Sequence, residues 1–216
     1  MRIRLNRAHY PVTTLGPGRR IGLWLQGCSI GCAGCLARDT WDRRAGTLLE
    51  IEDVVTWCDQ VSGGVVDGVT ISGGEPFEQP RALACLLEQF DVWRHGLDRP
   101  VDLLCYSGMP LARLQREYAS ILERLDALVP EPFVRSRPRG ESWQGSDNQP
   151  LVLLSALGRA RYDEDEAGRR HPGRVQVAVQ AGRVYVIGIP DRGDLEAITD
   201  AVERAGFIME DASWQT

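Results

Sequence analysis

Between residue 20 and about residue 155, short apolar runs alternate with longer stretches of helical period. Residues 20–27 (RIGLWLQG) are apolar, lie between a Gly-Pro-Gly step and Gly27, and predict a buried strand. Residues 47–61 (TLLEIEDVVTWCDQV) have helical periodicity after Thr47, with Glu50 three positions on, the spacing of a capping box. Residues 67–74 (DGVTISGG) read as a β-branched strand ending in glycines. A helix follows over 78–96, with Pro80 near its start and Gly96 at its end. Residues 101–108 (VDLLCYSG) predict another strand and residues 110–125 another helix. Two further apolar strands are expected within 126–134 (DALVPEPFV) and 149–155 (QPLVLLS). Strand and helix in turn, with short connections, are the pattern of βαβ units and a parallel sheet, an α/β fold with its site at the carboxyl ends of the strands.

The texture changes near residue 157. Residues 158–174 (GRARYDEDEAGRRHPGR) are charged and polar and read as an exposed loop. Residues 175–190 read as two strands joined at Gln180–Gly182, and residues 191–207 as a final helix with Gly206 at its end. The expected organisation is a core over residues 1–157 and a hairpin–helix extension over residues 158–216. Capping of a sheet edge is a sufficient structural reason for the hairpin, and a docking surface is the functional one.

Composition narrows the function. The formal net charge is -5, and a mild acidic balance argues against nucleic acid as the main partner, since phosphate binding needs a clustered basic face. Every basic side chain is arginine, so lysine Schiff-base chemistry and a Walker-type phosphate lysine are excluded. No apolar run reaches the length of a membrane span, and the first residues lack the apolar region of a secretory signal, so a cytoplasmic protein without a membrane partner is expected. In a reducing compartment, clustered cysteines point to metal binding or catalysis rather than to disulfides.

Three of the six cysteines fall within GCSIGCAGC, as Cys28, Cys32 and Cys35. Soft thiolates at this spacing favour zinc or iron–sulfur. Structural zinc and electron-carrying clusters both take four ligands, and no second Cys or His pair accompanies these three. His9, His95 and His171 stand alone. Three thiolates on a four-iron cluster leave one iron open to a substrate or cofactor. Cys58, Cys85 and Cys105 are scattered in apolar settings and read as small buried hydrophobes, with no redox role assigned.

The Cys-x-x-x-Cys-x-x-Cys loop after a strand resembles the cluster motif of the radical S-adenosylmethionine (SAM) superfamily. GPGRRIGLWLQGC leading into it, RDTWD just after it (38–42) and CYSG (105–108) resemble, in the same order, segments of the activating enzymes of glycyl-radical enzymes, and TISGGEP (70–76) resembles the superfamily's Gly-Gly-Glu motif. The pyruvate formate-lyase and anaerobic ribonucleotide reductase activases are the types most similar. LDALVPEPF followed by WQGSDNQ resembles the later part of the reductase activases. The chain departs from these patterns at Gly34, where many members carry an aromatic residue. It departs again in LARDTWD, which lacks a His-Asn, and in VPEPF, which replaces an Asp-Gly stretch.

The resemblance implies an incomplete TIM-type barrel of parallel strands with outer helices. It implies a [4Fe-4S] cluster on Cys28, Cys32 and Cys35, with SAM bound by Ser72, Gly73, Gly74, Glu75 and Ser107. No catalytic residue beyond the cluster ligands is implied. The activity would be reductive cleavage of SAM to a 5′-deoxyadenosyl radical, generating a glycyl radical on a partner enzyme. The electron would come from a small donor protein such as flavodoxin or ferredoxin. Radical modification of another protein, a peptide or a small molecule is an alternative, and a non-enzymatic iron–sulfur or zinc module is another.

Overall fold

The computed structural model describes residues 1–138, 143–166, 175–180, 183–191 and 193–206. Its elements are β1 (Arg2–Val12), β2 (Arg20–Leu25), β3 (Thr47–Glu50), α1 (Ile51–Ser62), β4 (Gly68–Gly73), α2 (Pro80–His95), β5 (Asp102–Tyr106), α3 (Leu111–Glu117), α4 (Ala119–Leu122), β6 (Ala127–Val129), β7 (Val152–Leu153), α5 (Ala156–Glu166), β8 (Val175–Gln180), β9 (Arg183–Gly188) and α6 (Asp194–Arg204). The fold is mixed α/β. One sheet runs β3-β1-β2-β4-β5-β6-β7, and a separate hairpin pairs β8 with β9. β2, β4, β5 and β6 are parallel neighbours, while β1, β3 and β7 join antiparallel at the two margins.

Alternation along the parallel strands sorts side chains onto two faces. Ile21, Leu23 and Leu25 of β2, Val69 and Ile71 of β4, and Leu103 and Cys105 of β5 join the principal core, with Val54 and Cys58 of α1 and Leu83, Leu86, Leu87 and Phe90 of α2. The opposite face carries Arg20, Thr70 and Asp102 at one end of the strands and Trp24, Ser72 and Tyr106 toward their carboxyl ends. Leu104, Val129, Trp143 and Tyr162 form a smaller cluster under α5, and Trp24, Val12, Leu15 and Ile187 form one under the hairpin.

The polar end of that face is a built network. Arg20 and Asp102 are both fully buried and meet through two hydrogen bonds, Nη1 to Oδ1 at 2.8 Å and Nη2 to Oδ2 at 2.7 Å. Arg20 Nε donates to Thr70 Oγ1 at 2.7 Å, and the Tyr162 hydroxyl donates to Asp102 Oδ2 at 3.1 Å. Burial pulls the Arg20 pKa down, but the Asp102 carboxylate outweighs it and leaves the guanidinium above its ordinary value. The network ties β2, β4, β5 and α5 at the end of the sheet away from the cysteines.

Several expected elements change. β1 was not expected; it alternates Ile3 and Leu5 into the core and pairs with β2 and β3. Residues 47–61 are a short strand and then a helix, because Thr47–Glu50 pairs with Leu5–Arg2 before α1 begins; Glu50 is the residue before the helix and makes no side-chain cap. The helix expected over 110–125 breaks at Tyr118 into α3 and α4. The loop expected from residue 158 is helical to Glu166, because Tyr162 packs edge-on against Trp143 and bonds Asp102. α2 lies within the stretch 78–96 read as helix, beginning on Pro80 and ending at His95 with Gly96 as its cap, and the β8–β9 hairpin followed by a helix is as read. Residues 167–174, including His171, the hairpin connection at Ala181 and Gly182, and Phe207 lie outside the described residues.

Candidate iron–sulfur site

β2 ends at Leu25, and the next ten residues carry all three clustered cysteines. Gly31 and Gly34 adopt φ of +64° and +79°, left-handed conformations that let this loop curl within a few residues. A Cβ on Gly34 would stand 2.6 Å from Arg135 Cδ, so the Arg135 side chain fills the space that an aromatic at position 34 would take. The loop's root is pinned by Gly27 N–H to the Thr40 carbonyl at 2.7 Å and Cys28 N–H to the Trp41 carbonyl at 3.1 Å. Cys28, Cys32 and Cys35 are free thiols, each half-buried. Burial pushes the Cys28 and Cys32 thiols above their ordinary value, so a soft metal group must displace protons to bind there.

The end of β4 presses on the same root. Gly74 N–H donates to the Leu25 carbonyl and Glu75 N–H to the Gly27 carbonyl, both at 2.8 Å. A Cβ at Gly73, where φ is +104°, would lie 2.5 Å from Leu25 N, and one at Gly74 would lie 2.3 Å from the Gly27 carbonyl oxygen. The two glycines therefore permit backbone to touch backbone. Gly74→Ala is expected to push β4 off the cluster loop, with an overpacking cost of about 1–3 kcal/mol. The check is iron bound after anaerobic reconstitution, compared with wild type at matched folded fraction; equal iron content would contradict it.

Glu75 is 1% exposed and is one of the residues that line the cavity shared with the cysteines. Oε1 accepts from Phe77 N–H at 3.0 Å and from the Ser107 hydroxyl at 2.9 Å, and Oε2 accepts from Gly108 N–H at 2.8 Å. A carboxylate offers about four acceptor positions, so one remains on Oε2. Burial pushes Glu75 up to about 7, against the pull of its three donors. Ser107 is buried and also accepts from Met109 N–H at 3.0 Å, so it orients Glu75. Ser72 lies opposite Trp24 in the β2–β4 register and lines the same cavity.

Sequence reasoning missed Glu78. Its Oε1 accepts from Ser29 N–H at 2.8 Å and from the Ser29 hydroxyl, while Oε2 meets Arg43 Nη2 at 2.7 Å. It thus braces the loop between the first two cysteines, and its carboxyl sits below its ordinary value: burial alone would raise it, but the bonds from Ser29 and Arg43 prevail. A glutamate three residues after Glu75 was the available signal.

The cavity, about 2350 Å³, runs from the cysteines and the Gly-Gly-Glu turn to the hairpin and α6. Among the described residues, no three metal-ligating side chains converge on a point for a single ion. A cluster with separated iron corners does not need such a point. Three thiols on one loop, open to one cavity with room beyond them, fit a [4Fe-4S] group better than tetrahedral zinc. Among those residues, no helix is long and apolar enough to cross a membrane.

The site and the sheet that carries it define an α/β iron–sulfur protein. The family model for a 4Fe-4S single cluster domain matches residues 14–152, and the chain belongs to that family. Among its relatives is an anaerobic ribonucleoside-triphosphate reductase-activating protein of Vibrio cholerae, 31% identical over 148 residues, which cover 66% of this chain and 94% of that protein. Proteins of the same description from Escherichia coli, 28% identical over 155 residues, and Haemophilus influenzae, 28% over 149, are also similar. They align with 68% and 65% of this chain and with 96% and 92% of their own lengths.

Proposed function

We propose that the chain is a radical SAM activase that generates a glycyl radical on an anaerobic ribonucleotide reductase. The observation that carries this reading is the shared cavity, into which the three cysteines and the Gly-Gly-Glu turn both open at the carboxyl ends of parallel strands. The relatives, named as activators of such a reductase, support the protein substrate. When bound, the cluster would supply the electron that cleaves SAM to methionine and a 5′-deoxyadenosyl radical, and that radical would take a hydrogen atom from the glycine.

The chain's own residues bind and orient. Cys28, Cys32 and Cys35 would hold three irons and leave the fourth for SAM. Glu75 would offer its remaining Oε2 position to the SAM ammonium, with Ser107 fixing that carboxylate and the backbone at Ser72, Gly73 and Gly74 passing close beside it. The parallel strands would be the core of a reduced TIM-type barrel, residues 1–157 the SAM-binding unit and residues 158–216 an extension, although α5 crosses that boundary and packs Tyr162 into the core. A flavodoxin or ferredoxin as donor and a cytoplasmic setting complete the proposal. The hairpin and α6, which line the cavity, favour a second reading in which the radical acceptor is another protein.

The test is anaerobic reconstitution, then reductant and SAM, with 5′-deoxyadenosine measured by chromatography. Wild type should release it, and Cys32→Ala should fall to the level of cluster-free protein. No release from cluster-loaded wild type would refute the enzyme reading. A glycyl radical signal on the reductase, followed by oxygen-dependent cleavage of its backbone, separates the first reading from the second.

A further inference from the structure

Arg7 lies in β1, on the side of the sheet that meets the hairpin. Its guanidinium carbon is 5.0 Å from the centroid of the Trp24 ring and 5.7 Å from that of Tyr185, so the cation is held between an aromatic of the core sheet and one of β9. Its Nη1 donates to Asp39 Oδ2 at 2.8 Å and to Asn6 Oδ1 at 3.0 Å. Asp39 belongs to a 3-10 turn, Arg38–Thr40, just beyond Cys35. The Thr40 and Trp41 carbonyls of that segment are the acceptors that pin Gly27 and Cys28. A parallel brace runs from the Asn6 amide to Gln26 Oε1 at 2.8 Å, and from Gln26 Nε2 to the Asp39 carbonyl at 3.1 Å and the Asp42 carbonyl at 2.8 Å.

A continuous run of contacts therefore joins Tyr185, through Arg7 and Asp39, to the backbone of the first cysteine. One end of it lies outside the span of the family model, which stops at residue 152, and about a third of this chain lies beyond its alignment with the relatives. The hairpin is seated independently: Gln176 Nε2 donates to the Pro11 carbonyl at 2.7 Å, and Thr14 Oγ1 donates to the Ile187 carbonyl at 3.1 Å.

We propose that Arg7 is a positioning residue for the iron–sulfur loop, and that the C-terminal hairpin, through Tyr185, is a working part of that site. The physical reason lies in the guanidinium. It is planar, stacks with both faces and donates from its edge at once, which an ammonium cannot do. An Arg–Asp pair in open solvent has little hold on either partner, since water and salt screen it. Here the two rings shield the cation, whose side chain is 21% exposed against 38% for Asp39, so a partly desolvated charge makes the bond to Asp39. Asp39 is fixed where it orients the segment on which the first cysteine hangs. Outer partners of this kind hold metal ligands in place without touching the metal. The inference rests on Cys28, Cys32 and Cys35 being the cluster ligands.

The experiment uses the full chain with three changes: Tyr185→Leu, which removes the ring, Tyr185→Phe, which keeps it, and Asp39→Asn, which removes the charge. Iron release from the reconstituted protein to a chelator is followed anaerobically. Tyr185→Leu and Asp39→Asn should each release iron about tenfold faster than wild type. Tyr185→Phe should stay within about twofold, and the Leu–Asn double variant should be no faster than either single one. A wild-type rate in Tyr185→Leu, equal lability of Phe and Leu, or multiplying effects in the double variant would each overturn the proposal. Arg7→Lys, which leaves the hairpin's apolar seat intact, provides the same reading if Tyr185→Leu unseats the hairpin. Backbone hydrogen exchange over residues 26–42 of the cluster-free protein should accelerate in Tyr185→Leu and not in Tyr185→Phe. That second readout survives even if the cysteines prove not to be cluster ligands, so failure of that assignment and failure of the Arg7 proposal are distinguishable.

Discussion

Asp102→Ala is expected to destabilise the cluster-free chain by about 3–5 kcal/mol, because it leaves a fully buried guanidinium without its counter-charge. Arg20 has nowhere to go: a Cβ on Gly68 would fall 2.2 Å from its Nη1, and one on Gly16 would fall 2.7 Å from its Nε, so the side chain occupies a slot closed on both sides. The remaining partners of Arg20 are the Thr70 hydroxyl and the backbone carbonyls of Pro17, Val69 and residue 102 itself, which carry no charge to replace the carboxylate. Tyr162 would lose its acceptor as well, so α5 should loosen. Urea unfolding followed by circular dichroism measures the loss. Replacing the pair together, as Arg20→Met with Asp102→Leu, should recover most of it, since apolar groups of similar volume avoid the desolvation of two charges. A single-variant loss below about 1 kcal/mol would be the value of a solvent-exposed pair and would contradict the burial.

The affinity of the cluster-loaded protein for SAM is expected to rise about tenfold between pH 6 and pH 8 and to be flat in Glu75→Gln, since one pKa unit of a titrating contact is worth 1.36 kcal/mol. The cause is Glu75, whose carboxyl burial has pushed up to about 7. Below that pH the group is neutral and would offer the proposed ligand's ammonium no charge; above it the carboxylate is formed and would bind the cation. The sign for folding is opposite. A carboxyl with a native pKa above its unfolded value binds its proton more tightly when folded, so the cluster-free protein should lose stability as pH rises from about 4.5 to about 7, by up to about 3 kcal/mol. Glu75→Gln should remove that slope too, while leaving one of the Phe77, Ser107 and Gly108 donors facing an amide hydrogen. Equilibrium dialysis of SAM and urea unfolding, each at several pH values, are the measurements. A flat binding profile in wild type would show that the ammonium does not meet this carboxylate.

What could be read from the chain was what is local. Pro80 and Gly96 bound α2 because each acts through its own backbone, and the three cysteines needed only a loop to be brought together. The β8–β9 hairpin was legible from its alternating pattern. What failed was non-local. Thr47 and Glu50 have the spacing of a helix cap, but Leu5 and Arg2 offer that stretch a sheet edge, and the pairing prevails. Residues 158–166 show no apolar stripe, and what draws them into a helix against the core is one tyrosine meeting Trp143 and Asp102. Arg20 and Asp102, 82 positions apart, give no sign in the sequence that they meet. The Gly-Gly-Glu turn was legible as a motif, but the use of its glycines against Gly27, and the grip of Ser107 and Gly108 on Glu75, needed the strands in register.

The antiparallel margins of the sheet have a consequence for traffic. A closed ring of eight parallel strands offers its chemistry only from above, through a mouth fenced on every side by loops. In this protein the parallel run stops at four strands, the reversed strand β1 interrupts it on one flank with β3 beyond, and the reversed strand β7 ends it on the other. The strand ends therefore stand on an open arc. A bulky visitor that must bring one backbone atom to the middle of that arc can come in from the side, with most of its mass left outside.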